Sequence, residues 1–382
     1  MNVFLLPASN YQTKLYNFLK SKGCVVFTIN PEENCITKDN EKNHFYCDIF
    51  DVDKVVGFLE DKNIELGFSD QSDIAIIPFV EICKKLNLKH NSKESIFNFS
   101  CDKKSMYDFA SSLGINHFGS QVIESFDQIK KLPAVIKPSD STNSRGVCRI
   151  DSKEDFDNSF CESKIFSRSK KIICQELAPK DSLQVTVEGI CLNNKHMNLT
   201  ASLKGSYWKI AITSCLKYPL SNYVDKDTLD KIYFINNKFV EKTGLDYGLT
   251  HAEYILHKDE IYLNEIACRG GGFKITSDIV PYVCGFDPYE YVFNYLKTGS
   301  AEFPQVEEEK FALMKFYKKI NLDDSIVNKI SEMECVLDFG YDFCKKEYVR
   351  NNTNPRHSYL LIGGLSEKEL NNNIHEIEKY IS

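Results

Sequence analysis

The most constraining feature of the sequence is the stretch of residues 250–272, where apolar and polar residues alternate on both sides of a short polar run. Alternation of this kind predicts two antiparallel strands joined by a tight turn. We place the turn at residues 258–260, which sets Glu253 opposite Glu265 on the neighbouring strand. A pairing slipped by one residue is the alternative, and it would send the two glutamates to opposite faces.

The two facing glutamates predict a metal site. Carboxylates at paired positions have Cβ atoms about 5 Å apart, and they repel unless a cation lies between them or one is protonated. Oxygen ligands beside phosphate favour Mg²⁺. Arg269 and the glycines at 270–272 follow at once, and they suit contacts with phosphoryl oxygens. We expect Glu253 and Glu265 to hold one or two Mg²⁺ ions, with Mn²⁺ an allowed substitute.

Two segments upstream suggest a nucleotide site. A buried strand at residues 132–138 carries Lys137 near its end, and a polar loop with hydroxyls and Gly146 follows. Such a loop can fold over polyphosphate, although a solvated turn explains it equally well. Farther on, the strand at 171–176 runs into a proline-terminated junction that leaves backbone groups free for a purine edge, with Glu176 nearby. An ordinary strand-to-loop junction fits this second segment about as well.

Composition bounds the remaining choices. A chain of 382 residues predicts two or three domains. Its formal charge of −7 without dense basic clusters argues against nucleic acid as a partner. The apolar runs are too short to span a bilayer and the N-terminus lacks a signal-peptide pattern, so we expect no membrane association and a cytoplasmic location. The 14 cysteines form no metal-ligand spacing and are expected to be thiols.

Strand and helix signals alternate over the first 100 residues, as in a small open parallel sheet. From residue 101 a helix starting at Lys103 leads into a β-rich segment, and from residue 301 a smaller α/β unit follows. We therefore expect an α/β fold with domains at 1–100, 101–300 and 301–382.

The motifs, taken in order, resemble the ATP-grasp superfamily and especially its carboxylate–amine ligases, which include the L-amino acid ligases. The matching segments are Asp102-Lys103, residues 135–138, 175–177, 187–189 and 263–271. The resemblance covers essentially the whole chain. It implies an N-terminal open parallel sheet domain, a central two-lobed α+β ATP-grasp domain that binds ATP and Mg²⁺, and a small C-terminal lobe.

The resemblance also implies a role for each matching residue. Lys103 and Lys137 would contact the ATP phosphates, Arg269 would steady an acyl phosphate, and Lys204 would lie near the substrate. Adenine would meet Glu176 and Leu177, and the ribose-binding position falls on Gln184. The implied phosphate loop carries Ser141, Thr142, Ser144, Arg145 and Gly146.

Three departures from the family pattern stand out. Ala267 replaces an asparagine that serves many members as a further metal ligand, an exchange shared by some amino-acid-ligase-like members. Gln184 replaces the ribose-binding acid, with Asp181 as a substitute. Residues 213–219 lack the Glu-x-x-His pair of dipeptide-forming ligases, so the acceptor site must differ.

The resemblance implies amide formation through an acyl phosphate, from small-molecule carboxylate and amine substrates. A biotin-carboxylase-like enzyme and a non-catalytic ATP-binding regulator are the alternatives. His251 is either a base for the amine or a hydrogen-bonded strand histidine. Arg356 and His357 either reach a substrate carboxylate or cover the surface. A homodimer is allowed by the sequence but not required.

Overall fold

The computed structural model describes residues 1–32, 41–91, 102–141, 145–206, 215–306, 310–317, 324–341 and 358–381. The residues between these ranges, and Ser382, are outside the description that follows. Thr142, Ser144, Arg356 and His357 are among them.

The chain begins with a four-stranded parallel sheet in the order β3-β2-β1-β4. Its strands are almost wholly buried because helices cover the sheet. This confirms the predicted open parallel sheet. The elements are β1 (Asn2–Leu5), α1 (Thr13–Ser21), β2 (Val25–Ile29), β3 (His44–Phe45), α2 (Val52–Leu59), β4 (Leu66–Phe68) and α3 (Ile76–Lys85).

A second, antiparallel sheet has the order β5-β8-β6-β7. It follows helix α4 (Lys103–Ser112), which begins at the N-cap Asp102, whose carboxylate accepts a hydrogen bond from the Lys104 N–H. The sheet consists of β5 (Gln121–Ile123), β6 (Ala134–Pro138), β7 (Cys148–Ile150) and β8 (Ile172–Glu176), with α5 (Lys153–Ile165) packed against it.

The largest sheet has eight strands in the order β13-β12-β9-β10-β11-β14-β16-β15. Its first part contains β9 (Leu183–Leu192), β10 (Lys195–Ser206), β11 (Cys215–Tyr218), α6 (Lys226–Thr243), β12 (Tyr247–His257) and β13 (Glu260–Ala267). A π-helix (Ile275–Ile279), α7 (Val280–Cys284) and α8 (Pro288–Thr298) come next. The last part, β14 (Phe311–Tyr317), α9 (Asp324–Ser331), β15 (Val336–Tyr341), β16 (Ser358–Gly364) and α10 (Glu367–Ile381), joins this sheet through the β11–β14 pair.

The β12–β13 hairpin confirms the predicted pairing but corrects the predicted turn. His257 pairs with Glu260, so the turn has two residues rather than three, with Lys258 at φ +53°. The pairing near the turn is therefore offset by one residue from the predicted register. A β-bulge leaves Asn264 unpaired and removes the offset, so Glu253 pairs with Glu265.

The eleven cysteines in the described ranges are all free thiols, as the sequence predicts. Across those ranges we find no helix that is both long and apolar enough to cross a bilayer.

Candidate active site

Glu253 is the centre of a hydrogen-bonded network on one face of the large sheet. Lys204 Nζ lies 2.5 Å from its Oε1, and its Oε2 accepts hydrogen bonds from Gln184 Nε2 at 2.7 Å and Asn264 Nδ2 at 3.0 Å. Burial alone would raise the pKa of Glu253, but the positive charges of Lys204 and His251 outweigh it and hold that pKa well below its ordinary value. Glu253 is therefore ionised.

Two β-bulges aim side chains at this carboxylate. Lys204 is the unpaired residue of a bulge in β10, between Leu203 and Gly205. Asn264 is the unpaired residue of the bulge in β13. Since a bulge breaks the regular alternation of side chains, both residues can reach Glu253. The alternation of apolar and polar residues in the sequence did not identify Asn264 as a hydrogen-bond partner of Glu253.

His251 lies between two carboxylates. Its Nδ1 is 2.8 Å from Glu188 Oε1, and its Nε2 is 3.7 Å from Glu253 Oε1. Burial lowers the pKa of His251, but the two glutamates outweigh it and raise the pKa to about 9. A histidine protonated at neutral pH cannot accept a proton from an amine, so this geometry supports the hydrogen-bonded strand histidine over the general base.

Two lysines from different elements meet beside the glutamate pair. Lys103, at the start of α4, lies 3.1 Å from Glu265 Oε1 and donates to the Ser141 carbonyl at 2.7 Å. Lys137, in β6, donates to the Tyr107 hydroxyl at 2.8 Å. The structure thus brings Lys103 and Glu265 into contact and places Lys137 close enough for both charges to act on it.

The environments of the two lysines differ. Burial works to lower the pKa of Lys103, but the charge of Glu265 outweighs it and the pKa is raised. Burial, with the neighbouring charge of Lys103, lowers the pKa of Lys137 to about 7. Lys137 forms no ion pair with a described carboxylate, and the charges of Glu265 and Glu253, which act to raise its pKa, do not offset the burial.

Arg269 is fixed by the N-terminal sheet domain. Its Nε and Nη2 donate to the Asp73 carboxylate at 2.9 and 2.6 Å, and its Nη1 donates to the Gly270 carbonyl at 2.8 Å. Asp70 accepts from the Gly270 N–H at 2.7 Å. A Cβ on Gly270 would lie 2.3 Å from Thr276 Oγ1, so this position requires glycine.

Sequence analysis missed Asp70 and Asp73, although one signal was available. Both follow β4, and polar residues after the carboxyl end of a parallel strand often line a ligand site.

The other residues assigned to nucleotide binding lie around the small sheet. Glu176 ends β8, and its exposed carboxylate accepts from Lys131 at 2.9 Å. Leu177 follows it, half-buried and outside the strand. Gly146 has φ +73° and packs on Pro138, next to Arg145. The side chain of Gln184, the predicted ribose position, is directed to Glu253 instead. Asp181 is exposed, 3.3 Å from His257.

Glu253 and Glu265 offer carboxylate ligands that can be compared with the usual coordination of Mg²⁺ in proteins. Among the described residues, no three or more His, Cys, Asp or Glu side chains are grouped closely enough to enclose a metal ion. Mg²⁺ commonly uses one or two carboxylates and completes its octahedron with water and substrate phosphates. Glu253 and Glu265 fit that pattern, although a metal at Glu253 would compete with the N–H donors now bound to it.

Comparisons with known proteins gave matches only among solved structures; neither protein-family models nor curated proteins matched. An L-amino acid ligase from Bacillus licheniformis has a TM-score of 0.81 over 99% of this chain and 97% of its own, at 16% identity. A carboxyaminoimidazole ribonucleotide synthase from Aspergillus clavatus, complexed with ATP, has a TM-score of 0.77 over 100% and 98%, at 13% identity.

A biotin carboxylase domain from Hydrogenobacter thermophilus, in complex with MgADP, ADP and bicarbonate, has a TM-score of 0.73 over 100% of this chain and 90% of its own, at 10% identity. At these identities the likeness concerns the fold, and it extends over the full length of the chain. The chain therefore has the ATP-grasp fold that its motifs indicate.

Proposed function

We propose that this protein is an ATP-dependent carboxylate–amine ligase that forms an amide through an acyl phosphate and releases ADP and phosphate. The observation that carries the proposal is the facing pair Glu253 and Glu265, with Lys103 and Lys137 beside it. Acidic groups for a divalent ion and cationic groups for phosphate thus lie at one place, between the two antiparallel sheets.

The nucleotide would lie between those sheets. Lys103 and Lys137 would contact its phosphates, together with Ser141 and Gly146 from the predicted phosphate loop. Adenine would meet Glu176 and Leu177. The Lys131 side chain now paired with Glu176 is exposed, so it can move aside at little cost. The Gln184 side chain could contact the ribose only if its hydrogen bond to Glu253 were broken.

In the reaction, a carboxylate oxygen attacks the γ-phosphorus of ATP and ADP leaves. The amine nitrogen then attacks the acyl carbon, loses a proton to solvent, and inorganic phosphate leaves. Bound at Glu253 and Glu265, Mg²⁺ would neutralise charge on the phosphates. Catalysis by the protein would rest on positioning, on the charge that Lys137 regains beside the bound phosphates, and on the fixed charge of Arg269.

The partners that now hold Lys204 and Arg269 limit differently what each side chain could contact in the reaction. The Lys204 ammonium is bound to Glu253, so it becomes available to a substrate carboxylate when a metal takes its place there. Arg269 keeps its contact with Asp73, and only the N–H groups of its guanidinium that Asp73 and Gly270 leave unused are available to an acyl phosphate.

A carboxylating enzyme of the biotin carboxylase kind is the second candidate. The biotin carboxylase domain with bound bicarbonate has the same fold over the whole of this chain. Labelled bicarbonate distinguishes the two, because the label enters the product only if the enzyme makes carboxyphosphate. Ala267 keeps a third possibility open, a non-catalytic regulator that binds ATP. Such a protein would release no ADP in response to added substrates.

The test is a screen for ADP and phosphate release over pairs of amino acids, sugar acids and amines, with the mass of any adduct measured. Glu265→Gln should lower turnover by roughly 10²–10³. Glu260→Gln is the matched control, because Glu260 lies in the same strand, exposed and hydrogen-bonded to Asn116. Equal activity of the two variants, or no substrate-dependent ADP release from any pair, would refute the proposal.

A further inference from the structure

A narrow cavity lies between the N-terminal sheet and the first residues of β12. It is next to the loop of residues 268–272 that follows β13, which we call the Arg269 loop. Most of its wall is apolar, including Phe68, Leu249 and Val292. Asp70 and Asn91 contribute polar side chains to that wall, as do Ser69, Tyr247 and Tyr289. The cavity has room for roughly two water-sized groups.

Asp70 is a buried carboxylate that forms no ion pair with any residue in the described ranges. The residue is only 6% exposed, and its carboxylate accepts hydrogen bonds from the Gly270 N–H at 2.7 Å, the Tyr289 hydroxyl at 2.8 Å and the Gln71 N–H. Arg269 is near enough to lower the pKa of Asp70, but it is ion-paired to Asp73, so the three side chains together keep one negative charge in excess. Burial outweighs the hydrogen bonds and the charge of Arg269, and it raises the pKa of Asp70. A buried carboxylate normally has a compensating cation.

Asn91 supplies an independent observation in the same cavity. It is 8% exposed, and within the described part of the chain its side-chain oxygen is buried without a hydrogen-bond donor. Buried polar atoms in folded proteins nearly always have a partner. Asp70 and Asn91 both present acceptors, so the group that would satisfy them carries N–H donors and a positive charge.

We propose that Asp70 and Asn91 form a binding site for a primary ammonium group. An ammonium has three donors and no acceptor, and it fits the available space with one carbon against the apolar wall. If the proposed ligase function holds, this group belongs to a substrate. An amine held as an ammonium has no lone pair for attack, so that substrate carries its reacting group elsewhere, on the Arg269 side of the cavity.

The site can be tested on the full-length protein without turnover. Methylammonium chloride is the probe, methanol is its neutral counterpart, and potassium chloride tests a metal cation. A ligand of two heavy atoms reaches at best roughly 10 mM affinity, so ligand-observed NMR titration is suitable. We expect saturable binding of methylammonium, and no saturable binding of methanol or competition by potassium at equal concentration.

Three variants locate the binding. Asp70→Asn should weaken methylammonium binding by at least about tenfold, because the shape is kept and the charge is lost. Asn91→Leu should weaken it several-fold without lowering the thermal midpoint, since the change removes an unsatisfied buried acceptor. Asp246→Asn is the control, because this carboxylate is ion-paired to Lys89 outside the cavity, and binding should be unchanged.

Several results would overturn the site. They are absence of saturable binding, equal binding of methanol, displacement by potassium, or an Asn91→Leu variant with a lowered midpoint and unchanged binding; the last would mean that Asn91 is structural or holds only a water. The ligase proposal is judged separately. Turnover without methylammonium binding rejects the site alone, and methylammonium binding without ADP release from any substrate pair rejects the ligase alone.

Discussion

The low pKa of Lys137 predicts that ATP binding takes up a proton. With a pKa of about 7, this lysine is about half neutral at pH 7 and about nine-tenths neutral at pH 8. The triphosphate would supply the counter-charge that the buried amine lacks, and so return its pKa toward the ordinary value. Uptake at Lys137 should therefore be about 0.5 proton per ATP at pH 7 and about 0.9 at pH 8.

Calorimetry measures this number directly. Titrations with ATP in two buffers of different ionisation enthalpy give the protons taken up, and Lys137→Arg supplies the reference because arginine stays charged. Protonation of ATP itself is common to both proteins and cancels in the difference. A difference below about 0.2 proton at pH 8, or one that does not grow between pH 6 and pH 8, would refute the assignment of Lys137 to the phosphates.

The same lysine predicts a pH dependence of stability. Its folded pKa lies below its unfolded value, so between about pH 7 and pH 10.5 the unfolded chain binds a proton that the folded chain does not. Stability relative to Lys137→Met should therefore rise with pH, by about 2 kcal/mol between pH 7 and pH 9. Urea unfolding at both pH values measures it, and a flat difference would contradict the pKa.

The remaining predictions concern other parts of the site. Asp73→Asn leaves Arg269 buried without its counter-charge, so we expect a loss of about 3–5 kcal/mol in the free energy of unfolding; a loss below about 1 kcal/mol in urea titrations would show that the pair does not form. The folded pKa of His251, about 9, exceeds its unfolded value, so its stabilisation is fully present below about pH 6.5 and is lost as the pH rises through about 9. Unfolding of His251→Asn should therefore lack that pH dependence, and a histidine ring that titrates near pH 6.5 by NMR would contradict the assignment. A Cβ on Gly271 would lie 2.7 Å from Ile275 Cγ2 and 2.9 Å from Glu188 Oε2, so Gly271→Ala should lower the thermal midpoint by several degrees, and a midpoint unchanged in calorimetry would contradict the close approach. Glu253→Gln should remove the dependence of ATP binding on Mg²⁺, and an unchanged Mg²⁺ titration would exclude this residue as a ligand.

The sequence was sufficient for features whose residues are close along the chain. Alternating residues gave the two strands of the hairpin, and the Asp102 N-cap with the Gly114 stop gave the helix that begins at Lys103. The predicted turn was one residue too long, but the predicted pairing of Glu253 with Glu265 was still correct, because the bulge at Asn264 shifts the register back by one residue. A bulge inserts a residue without changing local composition, so periodicity does not reveal it.

Contacts between distant segments were beyond sequence reasoning. The ion pair of Arg269 with Asp73 depends on how the N-terminal sheet domain packs against the loop after β13. The charge on His251 depends on Glu188, which the β9–β12 pairing places beside it from 63 residues away. No local pattern contains either partner. The motifs therefore indicated neither contact, and the protonation state and the orientation of Arg269 and His251 required the structure.

The contacts of Asp70 and Asp73 with the Arg269 loop limit how this protein can be divided or recombined. A fragment that starts at residue 101 would retain the lysines and both facing glutamates, yet its arginine would have no carboxylate to orient it. In a chimera whose first domain comes from another protein, the Arg269 guanidinium would stay in position only if that domain supplied carboxylates at the places of Asp70 and Asp73. Covariation between these acids and the loop should thus be visible among homologues, even though about 200 residues separate them.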